Sequence, residues 1–530
     1  MKSVMKHSFS DAPTIEAPRS RFDRSHGHKF TMDAGWLVPY YWDMVLPGDT
    51  FNMNSTIFAR MATPAFPVMD NMRCQTQFFF VPTRLIWDNF RKFCGEQVNP
   101  TDSIDFSIPI LQGTTLSDAD GDLTTAQGQT ETLINYLGVP QDIAPNDVDI
   151  SALPTRAYQL IYNEWYRDQN LINSALVDTD DGPDNIGTTD YRLRRRGKRH
   201  DYFTSALPWP QKGDAVTLPL GTRANIAVDG SSTDNTYVED GQGLRTFPYH
   251  ALDANQVLTR VSLTGSATEP VGQMYANLTT ATSATINDLR EAFQVQKLLE
   301  RDARAGTRYS ELVANHFGVN FYDISYRPEY LGGSSDNVSI NPVPATASSA
   351  GNGLGQVGSF ATSGGSGHGF TKSFVEHGIV MGIVSVIADL TYQQGLNRHF
   401  SHSTRYDYYW PSLAHLGEQE ILNKEIYCDG TANDDLVFGY QERYAEYRYK
   451  PSQISGKFLS KTTAPLDAWH LSQEFASLPT LGQTFIEENP PIDRVISVPT
   501  QPHFIVDTYQ KLICARPMPV FGVPGMIDHF

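Results

Sequence analysis

Apolar residues along this chain gather in two dense blocks, and the pattern inside each is that of buried strands. The first block runs from Gly35 to Phe93. It opens with aromatic and β-branched positions from Trp36 to Trp42, turns at Pro47-Gly48-Asp49, and reaches Gln75-Thr76-Gln77-Phe78-Phe79-Phe80-Val81. A continuous apolar run such as Phe78 to Val81, bounded by turn residues, suits a strand buried on both faces better than an alternating surface strand, although a run this short also fits a helix. Thr83 stands where it can cap a following helix, with Ile86, Phe90 and Phe93 on one face and Gly95 at its end.

The second block runs from Phe370 to Phe530. Gly382 to Leu390 reads as another central strand, and Tyr447-Arg448-Tyr449-Lys450 alternates as a half-exposed strand should. The tail from Lys511 carries Pro517, Pro519 and Pro524, which predicts extended chain and turns rather than helix. Between the blocks, Pro154 to Gln169 has the helical period, with Ala157, Leu160, Ile161 and Trp165 on one face. A second helix is expected from Thr285, with Leu289, Ala292, Phe293, Leu299 and Ala303 as its buried stripe and Gly306 as its stop.

Polar stretches divide these elements. Residues 1–30 lack periodicity and read as an extended arm or a frayed terminus. Residues 31–212 hold the first part of the core. Residues 213–284 are rich in Thr, Ser, Asn, Gly and Asp, with short β-prone pieces such as Asn225 to Val228 and Val257 to Leu263, and read as a surface insertion. Residues 285–530 hold the rest of the core, interrupted at 341–369 by a Gly/Ser/Ala/Thr segment expected to be a flexible loop. Strand candidates thus lie at both ends of the chain, and pairing first strands with last is the Greek-key habit of a mainly β jelly roll.

Composition narrows the function. The chain has 530 residues, 40% of them hydrophobic, which is enough for a large core. A formal charge of −18 argues against general charge-driven binding to nucleic acid or to an anionic membrane, so any nucleic-acid contact must be a local basic patch. Four cysteines without C-x-x-C spacing give neither a disulfide framework nor a zinc pattern. The first residues lack an apolar core of the kind a secretory signal needs, and the apolar stretch Gly378 to Leu390 is shorter than the ~18 residues of a membrane span. A cytosolic protein without a membrane role is the expectation.

Few motifs carry chemistry. Gly353 to Gly358 matches G-x-G-x-x-G, but loop composition on both sides makes it a chance match. Asp118-Ala119-Asp120-Gly121-Asp122 lacks the later residues of a calcium loop and reads as an acidic turn. His399 and His402 lack a visible third ligand, so no metal or cofactor is expected. No hydrolase elbow, zinc-protease helix or phosphate loop is present, although scattered carboxylates leave a glycosidase-type pair open.

Two segments remain as candidates. Arg192, Arg194, Arg195, Arg196, Lys198 and Arg199 concentrate six cations in an acidic chain. They suit phosphate neutralisation, or equally a solvated loop or a partner's salt-bridge site. Tyr440, Tyr444, Tyr447 and Tyr449 interleave with Arg443, Arg448 and Lys450, which suits base stacking or interface packing.

Several long stretches resemble the major capsid protein of the microviruses, small icosahedral single-stranded DNA phages, in their gokushovirus branch. They include LVPYYWDMVLPGDTF, FFFVPTRLIWDNF, RRGKRHDYFTSALPWPQKG, VFGYQERYAEYRYKPSQISGKF and CARPMPVFGVPGMIDHF. The resemblance implies an eight-stranded jelly roll with long insertions and a non-enzymatic role. It implies sixty copies closing around a circular single-stranded DNA genome in the bacterial cytoplasm, with the chain ending up in the virion. It also implies a threefold protrusion, placed at residues 213–284, that meets a host cell-surface receptor. A small basic DNA-binding protein, an internal scaffolding protein and a pilot protein are the implied partners. The alternative from another class is a carbohydrate-binding or carbohydrate-active β protein that uses its Tyr/Trp-rich segments as sugar platforms.

Overall fold

The computed structural model describes residues 18–113, 132–140, 148–216, 286–319, 326–346 and 354–522, together with the backbone of four short strands, Asn225–Asp229, Tyr237–Glu239, Leu244–Thr246 and Gln273–Asn277. The chain divides into two compact units, Met1–Pro210 with Gly306–Phe530, and Gln211–Ala305. Most of 213–284, including Val257 to Leu263, lies outside the described residues, as do the acidic turn at Asp118 and residues 1–17 of the expected arm.

The larger unit is built on two antiparallel sheets. Its strands are β1 (Ser20–Asp23) and β2 (His26–Met32), which come from the end of the expected N-terminal arm and are paired strands rather than a frayed terminus, and β3 (Val38–Val45), β4 (Thr50–Met61) and β5 (Met72–Pro82) from the first block. From the later chain come β6 (Glu329–Asn337), β7 (Ser339–Pro344), β8 (Val357–Ser373), β9 (Gly378–Ala388) and β10 (Phe504–Arg516). One sheet runs β1–β10–β4–β8–β7, with β2 beside β1 on the same edge of β10; the other runs β6–β5–β9–β3. The last strand therefore lies between the first strands and β4, which is the Greek-key pairing expected of a jelly roll. The sheets hold six and four strands. The two sheets thus hold ten described strands where the resemblance implies eight; β1 and β2 share one edge of β10, and β7 folds back on β8.

Alternation along β4 and β10 decides which face is core. Phe51, Met53, Ser55, Ile57, Ala59 and Met61 of β4 are buried, as are Phe504, Val506, Thr508, Gln510, Leu512 and Cys514 of β10, while the alternate residues face outward. Facing them from the second sheet are Phe78 and Phe80 of β5 and Val380, Val384 and Val386 of β9. An aromatic column ties the layers: Phe80 lies 4.7 Å from Phe374, Phe78 lies 5.4 Å from Phe370, and Phe51 lies 5.4 Å from Phe374. Phe79 and Val81 point the other way, into a second core with Trp87, Tyr158 and Ile161. The apolar run at Phe78 to Val81 is thus a strand covered on both faces.

The second cover is the helix Leu153–Ile161, which continues through a wide π-helical turn, Tyr162–Tyr166. Pro154 sits in its first turn, where a missing N–H costs nothing. Trp165 and Tyr166 pack on Phe79 at 5.6 and 5.8 Å. The four-stranded sheet is therefore sandwiched, while the six-stranded sheet carries core on one face only.

Four local expectations need correction. The helix after Thr83 is only a 3-10 turn, Thr83–Leu85, and one turn of helix, Phe90–Phe93; between them Trp87 is fully buried and its Nε1 donates to Asp181 Oδ1 at 2.8 Å. Thr83 is the first residue of the 3-10 turn rather than its cap, a position held by Pro82 without a side-chain capping bond. Residues Tyr447 to Lys450 are not a strand, because Tyr444 adopts a left-handed conformation (φ 63°) and leads into the 3-10 turn Ala445–Tyr447. The segment 341–369 is largely strand, in β7 and β8, rather than flexible loop. Its small residues fit a close approach of backbones: a Cβ on Gly369 would lie 1.9 Å from the Met53 carbonyl oxygen. Finally, the helix Ile286–Arg304 exists, but of its expected buried stripe only Ala303 is buried, whereas Leu289 and Phe293 are exposed. Periodicity states that a helix face is apolar, not what covers it.

Candidate interface segments

The basic segment is an extended strap, with Tyr191 buried at its start and donating to Asp184 Oδ2. Its backbone is threaded between the approach to β3 and the chain around Glu488. Arg196 N donates to Gly35 O at 2.7 Å, Leu37 N to Arg194 O at 2.9 Å, and Glu488 N to Arg196 O at 2.7 Å. Gly35 is required here: its φ is +82°, and a Cβ would lie 2.1 Å from Glu488 O.

Each strap cation meets groups of its own chain. Arg192 and Arg194 reach Asp190 Oδ2 at 3.2 and 3.1 Å. Arg195 lies 4.1 Å from the Trp36 ring centroid and donates to Asn489 Oδ1 at 3.1 Å. Arg196 donates to Ser385 Oγ at 2.8 Å, beside the Tyr166 ring. The Lys198 ammonium donates to Gln473 Oε1 at 2.8 Å and Phe485 O at 2.6 Å. Burial lowers the pKa of Arg192 and Arg196 and brings that of Lys198 down to about 8. Arg199, the most open of them, pairs with Asp389 at 2.9 Å. The cluster that reads as a basic patch in the sequence is thus, in the folded chain, a set of ties between β3, β9 and the segment leading to β10.

The tyrosine-rich segment is split by the fold. Tyr440 lies in the hairpin Glu418–Leu422 with Val437–Glu442 and exchanges backbone hydrogen bonds with Leu207 at 2.7 and 2.8 Å. Tyr444 is buried and donates to Tyr406 O at 3.0 Å, with the Arg443 guanidinium 5.1 Å from its ring centroid. Tyr447 and Tyr449 remain about half exposed, and Arg448 pairs with Glu442. Lys450 lines a cavity of about 290 Å³ together with Tyr202, Arg398, His399, Glu425 and Glu446. Inside it Arg398 pairs with Glu425 at 2.6 Å, and Tyr202 donates to Glu425 at 2.8 Å. Burial raises the pKa of Glu425 against the opposing pull of Arg398.

Sequence reasoning passed over the aromatic surface next to this segment. Phe400, Tyr406, Tyr408, Tyr409 and Trp410 are all exposed, with Tyr409 5.4 Å from Tyr444 and Tyr408 5.1 Å from His402. The run Arg405-Tyr406-Asp407-Tyr408-Tyr409-Trp410 was the available signal. Among the described residues, Asp178, Asp180 and Asp184 bring three carboxylates together, but Arg156, fully buried, reaches Asp184 at 2.5 Å and Asp180 at 3.4 Å. That acidic group is answered by the protein itself.

Comparison with known proteins agrees along the whole chain. A family described as "Capsid protein (F protein)" matches residues 10–526. The "Capsid protein VP1" of Bdellovibrio phage phiMH2K is 44% identical, with 99% of this chain and 98% of the relative covered. That of Chlamydia phage 1 is 43% identical over 99% and 98% of the two chains. That of Spiroplasma virus 4 is 31% identical over 98% and 97%.

Proposed function

The chain belongs to the phage capsid protein (F protein) family as a structural, non-enzymatic subunit of a gokushovirus-type microvirus shell, and from that premise we propose that sixty copies close into one icosahedral particle around a circular single-stranded DNA genome. The carbohydrate-active alternative falls with the family. A capsid subunit is a component of the virion and of a homo-oligomeric shell, and no described helix is long and apolar enough to cross a membrane.

The observation that carries the assembly reading is the aromatic surface at Tyr406, Tyr408, Tyr409, Trp410 and Tyr447. The jelly roll completes its own cores without these side chains. Tyr, Trp and Arg are the residues enriched at the centres of protein interfaces, where rigid rings bury large areas. Closure then follows from repeating one contact geometry around symmetry axes. Expressed protein should sediment as closed shells or as small rings that close when an internal scaffolding protein is added. A chain that stays monomeric in both conditions would sink the reading.

The insertion at 213–284 is the proposed outward protrusion for attachment to a host receptor. Its polar composition and the compactness of Gln211–Ala305 as a unit support this. Deleting it should leave shells that form but adsorb poorly to host cells; lost assembly with normal adsorption by residual particles would reject the assignment. A small basic DNA-binding protein and a pilot protein complete the proposed particle. A basic partner would reconcile a −18 subunit with an enclosed polyanion.

A further inference from the structure

We propose that the outward face of the six-stranded sheet is a platform for single-stranded DNA, with bases stacking on Tyr509, Phe58 and Phe360 and phosphates met by Arg21, Lys29, Arg60 and Lys511. The inference rests on the reading of this chain as the shell of a single-stranded DNA particle and says which surface touches the genome.

Strand register places these residues on one face. Lys29, Asp507, Phe58 and Gly364 form one row of paired positions across β2, β10, β4 and β8. Thr31, Ile505, Arg60 and Thr362 form the next, and Gly27, Tyr509 and Thr56 the row on the other side. Lys511 and Arg21 follow at the same parity on β10 and β1, and Phe360 on β8. The intervening residues, such as Ile57, Val506 and Ala361, fill the core.

Three properties of this face fit one class of occupant. Among the described residues nothing covers it: Tyr509 is 51% exposed, Phe58 50% and Phe360 44%, whereas the outer face of the other sheet is covered by the helix Leu153–Ile161 and its neighbours. Its charge runs against that of the chain. The outward positions of its strands carry four cations, Arg21, Lys29, Arg60 and Lys511, against two acids, Asp23 and Asp507, in a protein of net charge −18. Its rings are accessible, since a glycine stands beside each of two: Gly27 pairs with Tyr509, and Gly364 lies next to Phe58. Tyr509 and Phe58 are diagonal neighbours, roughly 7–8 Å apart along the backbone lattice. Successive unstacked bases of an extended strand fit that spacing. Rings on a sheet stack bases of any sequence, and nearby cations track the phosphates, so a genome can be held without a sequence code. Among the described residues Lys29 pairs only with the exposed Asp507, at 3.5 Å on the open face, whereas most strap cations are at least partly buried and held by partners in the folded chain, and so compete poorly for this role.

The test uses the full-length subunit with a thirty-residue oligodeoxythymidylate, alongside purified particles. Tyr509→Ala with Phe58→Ala should weaken binding about tenfold or more, while Tyr509→Phe should leave it unchanged. Lys29→Gln, Arg60→Gln and Lys511→Gln together should lower the slope of log affinity against log salt by about 2, at ~0.7 per phosphate contact. Ultraviolet crosslinking of intact particles should attach nucleotides to peptides of β4 or β10. These side chains face away from the core, so the unfolding midpoint of each variant should stay near that of the parent. Unchanged binding, an unchanged salt slope and crosslinks confined to other segments would overturn the platform while leaving the capsid reading intact. Variants that bind the oligonucleotide normally but no longer assemble would give this face to a second copy or a scaffolding protein, and also overturn it. Failure of the parent chain to form shells would instead count against the capsid reading itself.

Discussion

The Arg195 guanidinium lies over the indole of Trp36, 4.1 Å from the ring centroid, and the two residues also form a backbone bridge. This contact fastens the basic strap to the entry of β3. A cation on a partly desolvated indole contributes about 1–2 kcal/mol, and Arg195 adds hydrogen bonds to Glu488 O and Asn489 Oδ1. Arg195→Ala should therefore lower subunit stability by about 1–3 kcal/mol in denaturant unfolding. Arg195→Lys should recover only part of it, because an ammonium lacks the planar fork. An unchanged midpoint would mean that the strap is a solvated loop.

A larger loss is expected at the aromatic column. Phe80 is fully buried and lies 4.7 Å from Phe374, with the second sheet on one side and the first on the other. Phe80→Ala should cost about 3–5 kcal/mol through lost burial and the cavity left behind. Phe58→Ala, on the outward face of β4, should cost under ~1 kcal/mol. Chemical denaturation of the two variants side by side reads the difference.

Lys198 gives stability a pH dependence with a definite sign. Burial holds its folded pKa at about 8, against 10.5 for the free side chain. Between those values the unfolded chain binds more protons than the folded one, so stability rises with pH through this window. The charged ammonium imposes its full penalty below about pH 8, and the penalty is relieved as pH climbs toward 10.5. The size is about 3 kcal/mol at 1.36 kcal/mol per unit. Lys198→Met should remove this rise, seen as a difference between parent and variant in unfolding free energy measured from pH 7 to 10. Parallel curves would contradict the assignment.

The glycines of β8 should differ sharply in their tolerance of substitution. Gly369→Ala would place a methyl 1.9 Å from Met53 O, so β8 must separate from β4. The expected loss is about 1–3 kcal/mol or more, measured by unfolding, with reduced recovery of assembled material. Gly364 meets only the edge of Phe58 at 3.9 Å, and Gly364→Ala should be nearly neutral.

Much of the sandwich was legible because burial on two faces leaves a compositional trace. Phe78 to Val81 and Gly382 to Leu390 read as central strands, since nearly every position is apolar; the second strand is in fact Gly378–Ala388, and both strands are buried throughout or nearly so. That late strands pair with early ones followed from strand candidates at both ends, but β10 itself was not singled out: its tail from Lys511 read only as extended chain and turns. Strand β8 was not legible. Its Gly and Ser residues have low strand propensity, and neighbours rather than intrinsic preference hold it. The strap misled in a different way: a run of arginines reports charge but not partners, and Asp190, Trp36 and Asp389 come from distant or unremarkable positions. The alternation from Tyr447 to Lys450 imitated a strand because a period of two over four residues is too short to exclude a turn.

If one subunit type closes into a shell of fixed copy number, the mass of the intact particle will show it. Particles emptied of nucleic acid and of minor components should weigh about sixty times the 59.1 kDa chain, in one narrow peak by charge-resolved mass spectrometry. A ladder of open aggregates without a preferred mass, or a chain that remains at 59.1 kDa with its scaffolding partner present, would contradict it.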